Sequence, residues 1–489
     1  MTSTREVELK FACGPDDLAA VLAAAPPGDD ADAELISVYF DTADLALQKA
    51  GASLRVRESK GRRVQTLKRG EGLAREEHEA SIEGLAPDPD LGPLPTLMPA
   101  GASLKPAFNV RVSRRQRLVR HDGAEIELAL DRGEVVGGDA STPICEVELE
   151  LKSGAPSALF TLARTLGEAA PLYLSFDTKA ARGQALVAGA GPGPRRSSAI
   201  VLMGDETVGE AFQAVARKAL AQVAANAALL REDATPEAVH QLRVGARRFR
   251  SALTTFKAAT EGEGRAAVKA DLEWLSHACD EVRNLDVYAD GLANADAELQ
   301  GPAAGLASLR GLIDAERGRA RAEVVRTVAS ARFRSLMIDA AEWMEIGVWR
   351  LGQPARGPMD RFVREALKAR RRKVLKLGRD IATADDEALH HLRIAAKKLR
   401  YAGDAFASLY GAKRVEAFTS PVKDLQTELG ELNDLATAAP LIAALVLPPE
   451  AAFAAGELLG LRAAGRPKRI QRAAKALTRL AEVEPFWNT

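Results

Sequence analysis

The pattern of hydrophobic and polar residues divides the chain near residue 190. Before this point, apolar and charged residues alternate in short runs, a pattern typical of strands whose two faces differ chemically. The intervening segments at about 15–25 and 156–169 have helical character. The sequence therefore predicts a largely β N-terminal domain over residues 1–187. The alternating runs lie at 6–10, 53–57, 63–68, 125–131 and 144–152.

Beyond this domain the alternation disappears. Residues 188–199, AGAGPGPRRSSA, are rich in Gly, Pro and Ser, and we interpret them as a linker. Long stretches rich in Ala, Leu, Arg and Glu follow with helical periodicity. The sequence therefore predicts an all-helical domain over residues 200–489.

The helical part repeats itself at an offset of 150 residues. Segment 240–250, HQLRVGARRFR, aligns with 390–400, HHLRIAAKKLR. At the same offset, EVRN at 281–284 aligns with ELND at 431–434. Two segments that keep one offset without gaps indicate a duplication. The two copies are expected over about 205–345 and 355–485.

The composition limits the possible classes of protein but does not indicate a binding partner. The length of 489 residues suits two or three domains, and acidic and basic residues cancel at 67 each. The three cysteines form no CxxC motif and no disulfide framework, which suits a reducing cytoplasm. Prolines and glutamates interrupt the most apolar segment, 440–461, so no membrane span is predicted, and no signal peptide is recognised. We expect a cytoplasmic protein that does not associate with membranes.

Carboxylates share one face of the first and last predicted strands. Adjacent carboxylates on one face repel each other unless a cation neutralises them. Divalent cations that prefer oxygen ligands do this best, so the sequence predicts Mg²⁺ or Mn²⁺. A further carboxylate ends the strand 125–131. The candidate metal ligands are Glu6, Glu8, Asp131, Glu146, Glu148 and Glu150.

Cationic side chains recur within the same domain. If both sets point into one cavity, arginines and lysines would bind phosphate oxygens while a metal held by carboxylates polarises them or activates water. The alternative is an ordinary half-exposed sheet with a charged, solvated outer face. The candidate phosphate-binding residues are Lys10, Arg55, Arg57, Lys68, Arg115, Arg117, Lys179 and Arg182.

Glu6-x-Glu8-x-Lys10 resembles the ExExK signature of the CYTH superfamily, the triphosphate tunnel metalloenzymes. The resemblance covers roughly 180 residues and implies a closed, eight-stranded antiparallel barrel around a polar tunnel. Members hydrolyse inorganic triphosphate, thiamine triphosphate or nucleoside triphosphates, and some are adenylate cyclases. Further matching segments follow in order: YFDT (39–42), LRVR (54–57), TLK (66–68), REEHE (75–79), RQR (115–117), LDRG (130–133), EVELELK (146–152) and KAARG (179–183).

Carried over by position, the resemblance implies that Glu6 and Glu8, with Glu148 or Glu150, hold metal. It implies that Asp131 helps to hold a second ion or orients water. Phosphate binding falls to the basic set above together with Arg75. Some members carry two acids two residues apart on the strand that ends at Asp131, whereas this chain has Ala129 there. No motif for a base or a thiamine ring is recognised, which favours inorganic triphosphate as substrate.

Each copy of the helical repeat carries a histidine-led cationic ridge beside an apolar stripe. The ridge residues fall at i, i+3, i+7 and i+10, on one helical face. Acids four residues away do not balance these cations, which favours anion binding over an ordinary solvated face. The ridges are His240, Arg243, Arg247 and Arg250 in the first copy, and His390, Arg393, Lys397 and Arg400 in the second.

The ridge helices, with RNLD at 283–286 and LND at 432–434, resemble the CHAD family of helical domains, which are often fused behind CYTH barrels. The resemblance covers about 200–485. It implies two four-helix bundles related by pseudo-twofold symmetry, around a basic cavity for inorganic polyphosphate.

Two functional hypotheses follow. In the first, the barrel is a metal-dependent triphosphatase and the helical domain binds polyphosphate. In the second, the barrel is catalytically idle and the chain is a polyphosphate-binding protein targeted to polyphosphate granules. Nucleic-acid binding is disfavoured, because aromatic residues make up only 5% of the chain and none interleaves with the ridges. The sequence predicts no particular oligomeric state.

Overall fold

The computed structural model describes residues 2–70, 72–191, 193–232, 234–294 and 299–488. They form two compact units. The first contains the residues up to 194 together with 330–346, and the second contains 195–329 and the residues from 347 onward.

The first unit is built on an antiparallel sheet that closes on itself. Its strands join in the order β5-β4-β3-β2-β6-β7-β8-β1, and β1 also pairs with β5, so eight strands form the predicted barrel. The short β9 adds to β1 outside this closed set. The strands are β1 (Thr2–Ala12), β2 (Asp30–Thr42), β3 (Ala52–Ser59), β4 (Arg62–Arg69), β5 (Ala74–Ser81), β6 (Leu104–His121), β7 (Ala124–Gly137), β8 (Ala140–Ser153) and β9 (Tyr173–Leu174).

Strand alternation gives the barrel wall two faces. On β1 and β8, the apolar residues Leu9, Phe11, Val147 and Leu149 are buried, and their parity is opposite to that of the acids. Helices of the same unit cover this apolar face, and α4 packs on β8 and on α1. The helices of the unit, numbered along the whole chain, are α1 (Asp17–Ala24), α2 (Ala46–Lys49), α3 (Leu94–Leu97), α4 (Ser157–Ala169), α5 (Lys179–Val187) and α11 (Ala331–Ile346).

Helix α11 packs in the barrel unit, although the sequence-based division places its residues within the first helical copy, 205–345. It contacts α4 and β9, and its Phe333 and Leu336 are buried. Arg164 of α4 forms ion pairs with Asp339, at 2.6 Å, and with Glu342. Periodicity reveals that a helix is amphipathic but not which partner covers its apolar face, so this packing could not be predicted from the pattern.

The second unit is helical, as predicted. Of the helices within the described residues, none combines the length and hydropathy of a membrane span. The helices are α6 (Val208–Glu232), α7 (Pro236–Thr255), α8 (Arg265–Ala278), α9 (Asp280–Asn294), α10 (Ala303–Ala329), α12 (Gln353–Arg356), α13 (Met359–Leu377), α14 (Asp386–Phe406), α15 (Ala412–Ala443), α16 (Pro449–Ala464) and α17 (Arg466–Glu482).

The 150-residue offset relates these helices pairwise. It places α6 on α13 and α7 on α14, while α8 and α9 together correspond to α15, and α10 corresponds to α16 with α17. The two ridge helices begin at equivalent residues because each has an N-cap: Thr235 accepts a hydrogen bond from the backbone of Ala238, and Asp385 accepts one from Ala388. These caps fix the register in which each ridge is presented.

Candidate functional site

The barrel encloses a cavity of about 800 Å³. All eight strands and the N-terminus of α5 contribute to its lining, which carries both acids and bases. The face with alternating charges is therefore the inner one, not a solvated outer face. Of the residues predicted from the sequence, the lining contains Glu6, Glu8, Lys10, Arg55, Arg57, Lys68, Arg75, Asp131, Glu148, Glu150 and Lys179.

Three carboxylates converge where β7 meets β8. Asp131 lies opposite Glu146 in the strand register, and both side chains are fully buried. One oxygen from each of Asp131, Glu146 and Glu148 lies within 4.8 Å of the other two. Carboxylate oxygens are the ligands that hard divalent cations prefer, so this donor set fits such an ion.

Two lysines neutralise this acidic cluster. Lys179 Nζ lies 2.7 Å from Asp131 Oδ2 and 2.9 Å from Glu148 Oε1, and it also pairs with Glu146. Lys10 Nζ pairs with Glu148 and lies 3.4 Å from Glu146 Oε1. Burial opposes ionisation of Glu148, yet Lys10 and Lys179 hold the pKa of this carboxylate well below its usual range. The cluster is therefore charged and balanced within the barrel wall.

Arg114 completes the cluster and was missed by the sequence analysis. Its Nε donates to Asp131 Oδ1 at 2.7 Å, and its Nη2 donates to Asp131 Oδ2 at 2.6 Å and to Glu148. Burial opposes charge on this guanidinium, but Glu148 and Asp131 raise the pKa of Arg114 above its usual value. A bidentate, buried arginine of this kind fixes the orientation of the carboxylate it binds.

Arg115 and Arg117, which were expected to bind phosphate, do not line the cavity. Arg115 Nη2 lies 2.9 Å from Asp30 Oδ2, and Arg117 Nε lies 2.5 Å from Asp30 Oδ1. Arg117 Nη1 also donates to the carbonyl oxygen of Leu22 at 3.0 Å. Both arginines thus contact neighbouring chain segments on the outer face of β6. The expectation that they point into the cavity is therefore wrong.

The inner face of β6 explains why its parity was misjudged. Val110 and Val112 line the cavity on the same side as Arg114. They belong to a core cluster that includes Ala180 of α5, so the inner face is apolar at one end and cationic further along. Arg115 and Arg117 were placed inside from their shared face and from the CYTH resemblance, and a shared face does not reveal which side of the strand turns inward.

A second acidic group lies on β1. Lys68 Nζ donates to the two carboxylate oxygens of Glu6 at 2.6 and 2.7 Å, and Arg75 Nη2 donates to Glu8 Oε2 at 2.5 Å. Glu8 Oε1 is buried and accepts no hydrogen bond within the described part of the chain, with Lys10 Nζ 3.4 Å away. A buried carboxylate oxygen that accepts no hydrogen bond is a candidate ligand for a cation.

Two arginines of β3 form the wall that is least neutralised. Neither Arg55 nor Arg57 forms an ion pair within 4 Å among the described residues, and the buried Nε of Arg55 has no hydrogen-bond partner there. The neighbouring Arg55, and then burial, lower the pKa of Arg57 to about 10. Adjacent guanidinium groups with open donors suit the oxygens of a polyanion.

The remaining predicted residues surround the acidic cluster. Arg182 Nη2 lies 2.9 Å from Glu146 Oε2. Glu150 lies 2.7 Å from Lys152, and burial, with Glu6 and Glu127 nearby, raises the pKa of its carboxyl. Ala129 faces the cavity between Glu127 and Asp131, so the position that carries a second acid in some family members is inward-facing and apolar.

In the second unit, the two predicted ridges meet. Arg247 of α7 donates from Nε to the Tyr401 hydroxyl of α14 at 2.7 Å, and its guanidinium carbon lies 5.6 Å from the centre of that ring. Burial lowers the pKa of Lys397 to about 6, with Arg247, Arg393 and Arg243 acting in the same direction. Cations of both copies therefore share one region, which the sequence pattern alone did not establish.

The two leading histidines occupy different environments. His240 is partly buried, and burial together with the nearby Arg283 lowers its pKa to about 4. His390 is exposed, with Nδ1 2.8 Å from Asn433 Oδ1. The histidines are therefore equivalent in sequence but not in chemistry.

Both of the last ridge arginines contact a carboxylate. Arg250 Nη2 lies 2.9 Å from Glu273 Oε1, and Arg400 Nε lies 3.6 Å from Asp404 Oδ2, four residues along its own helix. Arg400 Nη1 also donates to the amide oxygen of Gln426 at 3.1 Å. The expectation that no acid four residues away balances the ridge cations is therefore wrong at Arg400. Burial, and then the charges of Lys373, Arg370 and Arg250, lower the pKa of the Lys398 ammonium. The cationic region thus continues beyond the predicted ridges.

Comparisons with known proteins give two domain matches. The CYTH domain model matches residues 4–184, and the CHAD domain model matches residues 214–443. The chain is 31% identical over 201 residues to the inorganic triphosphatase of Haemophilus influenzae, a match that covers 37% of this chain. It spans 55%, about half, of the length of that curated relative.

Among solved structures, the crystal structure of the CHAD domain from the plant Ricinus communis matches with a TM-score of 0.53 and 30% identity, covering 59% of this chain and 97% of that one. PptA from Streptomyces chartreusis matches with a TM-score of 0.43 and 19% identity, covering 56% and 100%. The chain therefore belongs to the proteins that carry an N-terminal CYTH domain followed by a CHAD domain.

Proposed function

We propose that the barrel hydrolyses inorganic triphosphate with the help of Mg²⁺ or Mn²⁺, and that the helical domain binds inorganic polyphosphate. The observation that carries the first part is the enclosed cavity, in which a buried carboxylate cluster faces open guanidinium groups. The relative from Haemophilus influenzae, named an inorganic triphosphatase, supports the same reaction.

The carboxylates would hold the cation at two neighbouring places. Asp131, Glu146 and Glu148 form the convergent set, and Glu8, with its unsatisfied oxygen, and Glu6 form the other. When bound, a divalent cation neutralises phosphate oxygens and makes the phosphorus more electrophilic. The inward-facing Ala129 leaves one acid fewer than some relatives have, which favours one tightly held ion.

The cationic wall binds and orients the substrate. Arg55, Arg57 and Arg75 would donate bidentate hydrogen bonds to phosphate oxygens, and Lys68 would add a point charge. These contacts are strengthened because the side chains are partly buried, where charges are screened less than in bulk water. Glu150 lines the same cavity with a raised pKa, so its carboxylate is suited to accept the proton of an attacking water.

Phosphate release from inorganic triphosphate, ATP and long-chain polyphosphate, each with Mg²⁺ or Mn²⁺, tests the barrel. Glu6→Ala/Glu8→Ala should lower the rate at least about 100-fold, since a metal site supplies several kcal/mol of transition-state stabilisation. Glu125→Gln, which removes a partly exposed acid paired with Arg120, is the matched control and should keep the wild-type rate. Equal, background-level rates for wild type and the double variant would refute the enzyme assignment.

The proposal for the helical domain rests on the convergence of Arg243, Arg247, Arg393 and Lys397. Like charges brought together and partly desolvated repel each other, and a polyanion relieves that repulsion. Affinity for polyphosphate should fall in Arg243→Ala/Arg393→Ala, measured by titration calorimetry. An unchanged affinity would remove these residues from the site.

The second candidate is a non-catalytic polyphosphate-binding protein targeted to polyphosphate granules in the cytoplasm. The missing carboxylate at Ala129 is the observation that favours it. It predicts wild-type polyphosphate binding and localisation at granules together with background phosphate release. The same two assays therefore separate the candidates.

A further inference from the structure

The two ridges differ in what neutralises them. Arg243 of the first copy pairs with Asp280 at the start of α9, with Nε and Nη2 2.7 and 2.6 Å from Oδ1. Its equivalent, Arg393, donates instead to the neutral amide oxygen of Asn433 at 3.3 Å. At the 150-residue offset, the position equivalent to Asp280 is Gly430. The acid that occupies the first-copy arginine thus has no counterpart in the second copy.

Arg393 and Lys397 of the second copy have no carboxylate within ion-pair distance in the described part of the chain. The buried Nε of Arg393 has no hydrogen-bond partner among the described residues, and no ion pair or hydrogen bond to Lys397 Nζ occurs there. Asp434 acts electrostatically on both cations but forms no ion pair with either within 4 Å in the described part of the chain. Arg247, Arg393 and Arg243 of the two ridges are the charged groups that act most strongly on Lys397.

The free energy of binding a phosphate chain differs between the two copies. At Arg243 it must share the guanidinium with Asp280 or displace it, and the carboxylate repels each approaching phosphate oxygen. At Arg393 and Lys397 no carboxylate lies within ion-pair distance among the described residues. The attraction of an anion to Arg393, and to Lys397 once it is protonated, is stronger in this partly desolvated region than in water. Arg243 and Arg393 occupy equivalent positions in the repeat, but Asp280 pairs only with Arg243, so the two arginines are not equally available to an anion.

We propose that Asp280 is a built-in competitor of polyphosphate, so that a bound phosphate chain engages Arg393 and Lys397 of the second copy more strongly than Arg243 of the first. This inference rests on the proposed binding of polyphosphate by the helical domain. It makes the charge at positions 280 and 430 the determinant of how the chain is distributed over the duplicated site.

The test exchanges that charge between the copies in the full-length protein and measures affinity for length-fractionated polyphosphate by calorimetry. Asp280→Asn should bind about two- to fivefold more tightly, because an exposed ion pair is worth up to about 1 kcal/mol. Gly430→Asp should bind more weakly by a similar factor. A Cβ at position 430 meets open space, so the introduced side chain is sterically tolerated.

Matched controls change the same charge elsewhere. Glu323→Gln removes an exposed acid of α10 that pairs with Arg326, and Gly460→Asp adds an acid at a helical glycine of α16 that also borders open space. Both should leave the affinity within the error of wild type. If the controls changed the affinity as much as the site variants do, the affinity would depend only on the net charge of the protein. That outcome would overturn the role of Asp280.

A further comparison separates failure of the inference from failure of the proposed function. Arg243→Ala should cost little in the wild type and more in the Asp280→Asn background, where Arg243 is released. If the wild type binds and this coupling is absent, with both site variants equal to their controls, Asp280 is no competitor. If the wild type binds no polyphosphate, the proposed function itself fails. Should Gly430→Asp not fold, Asp280→Asn and the Arg243 coupling decide alone.

Discussion

The barrel cavity and the helical ridges both collect cations, but they balance them differently. In the barrel, Lys10, Lys179 and Arg114 each contact a buried carboxylate. In the helical domain, Lys397 has no such contact among the described residues. A site that holds both signs of charge can bind a metal cation and a phosphate anion together. A site with mostly one sign can only bind the anion.

The difference follows from backbone geometry. In an antiparallel barrel, strand register sets opposite charges side by side: Lys10 lies opposite Glu148, and Arg114 lies opposite Asp131. In the helical domain, α7 and α14 carry the same cationic pattern at the 150-residue offset and bring like charges together. Acids reach the ridges mainly from other helices, as Asp280 does from α9. The repeated pattern thus concentrates charge, whereas strand pairing cancels it.

The largest expected effect comes from removing Arg114. Arg114→Ala would leave Asp131 and Glu148 without their bidentate partner in a buried site. Breaking a buried ion pair from one side costs about 3–5 kcal/mol, so denaturant unfolding should show a loss of that order. Phosphate release should fall at least about 100-fold, because the displaced carboxylates no longer hold their orientation.

Arg115→Ala is the matched control for that prediction. The side chain of Arg115 is 49% exposed and pairs with Asp30 on the opposite face of the strand. An exposed pair contributes at most about 1 kcal/mol, so stability and hydrolysis should change little. If Arg115→Ala proved as damaging as Arg114→Ala, the parity assigned to β6 would be wrong.

The next largest effect is expected from salt, which should weaken binding in the helical domain more than in the barrel. Binding of a polyanion that neutralises about four ridge cations should weaken by about two to three orders of magnitude between about 50 and 500 mM KCl. The KM for triphosphate in the barrel should change less, because buried pairs are screened less than partly exposed cations. Parallel titrations of polyphosphate affinity and KM provide the check. Equal salt slopes would contradict the contrast between the regions.

Much of this arrangement was accessible from the sequence. Alternation in 6–10 and 144–152 predicted the inward acids, because these strands keep one clean parity from end to end. The offset between 240–250 and 390–400 predicted two equivalent ridge helices, which the structure shows as α7 and α14. The CYTH and CHAD resemblances are confirmed by the domain matches.

What escaped prediction depended on contacts between distant elements. Arg114 was missed because the shared face of Arg115 and Arg117 does not reveal which side of β6 lines the cavity. The contact of Arg247 with Tyr401 joins two copies that the repeat pattern aligns but does not place in space. The Asp280–Gly430 difference lies one residue before the aligned 281–284 and 431–434 segments, so extending that alignment would have revealed it.

A smaller effect is expected from pH. Burial and then Arg247 and Arg393 lower the pKa of Lys397 to about 6, so this ammonium is largely deprotonated in the free protein at pH 7. A bound anion raises that pKa, and binding therefore takes up a proton. Affinity for polyphosphate should rise as pH falls from about 8 to 6, by at most about tenfold per unit for one proton, and level off below 6.

The variant Lys397→Met tests whether Lys397 is the group that takes up this proton. The variant should bind polyphosphate more weakly and lose the rise in affinity between about pH 8 and 6. His240 titrates near 4, below this window, so it does not produce the same trend. Calorimetry in buffers of different ionisation enthalpy measures the proton uptake directly. A wild type whose affinity is flat over this range would show that Lys397 stays charged without ligand.

The smallest effect concerns the contact between the copies. Tyr401→Phe removes the hydroxyl that accepts from Arg247 at 2.7 Å but keeps the ring beneath the guanidinium. Losing one hydrogen bond costs about 1 kcal/mol, so polyphosphate affinity should fall about fivefold while phosphate release by the barrel stays unchanged. Tyr410→Phe, whose ring packs against Phe486, is the control. Since the arginines that surround Arg247 repel it, a Tyr401→Phe variant with full affinity would mean that the phosphate chain, rather than the hydroxyl, orients this guanidinium.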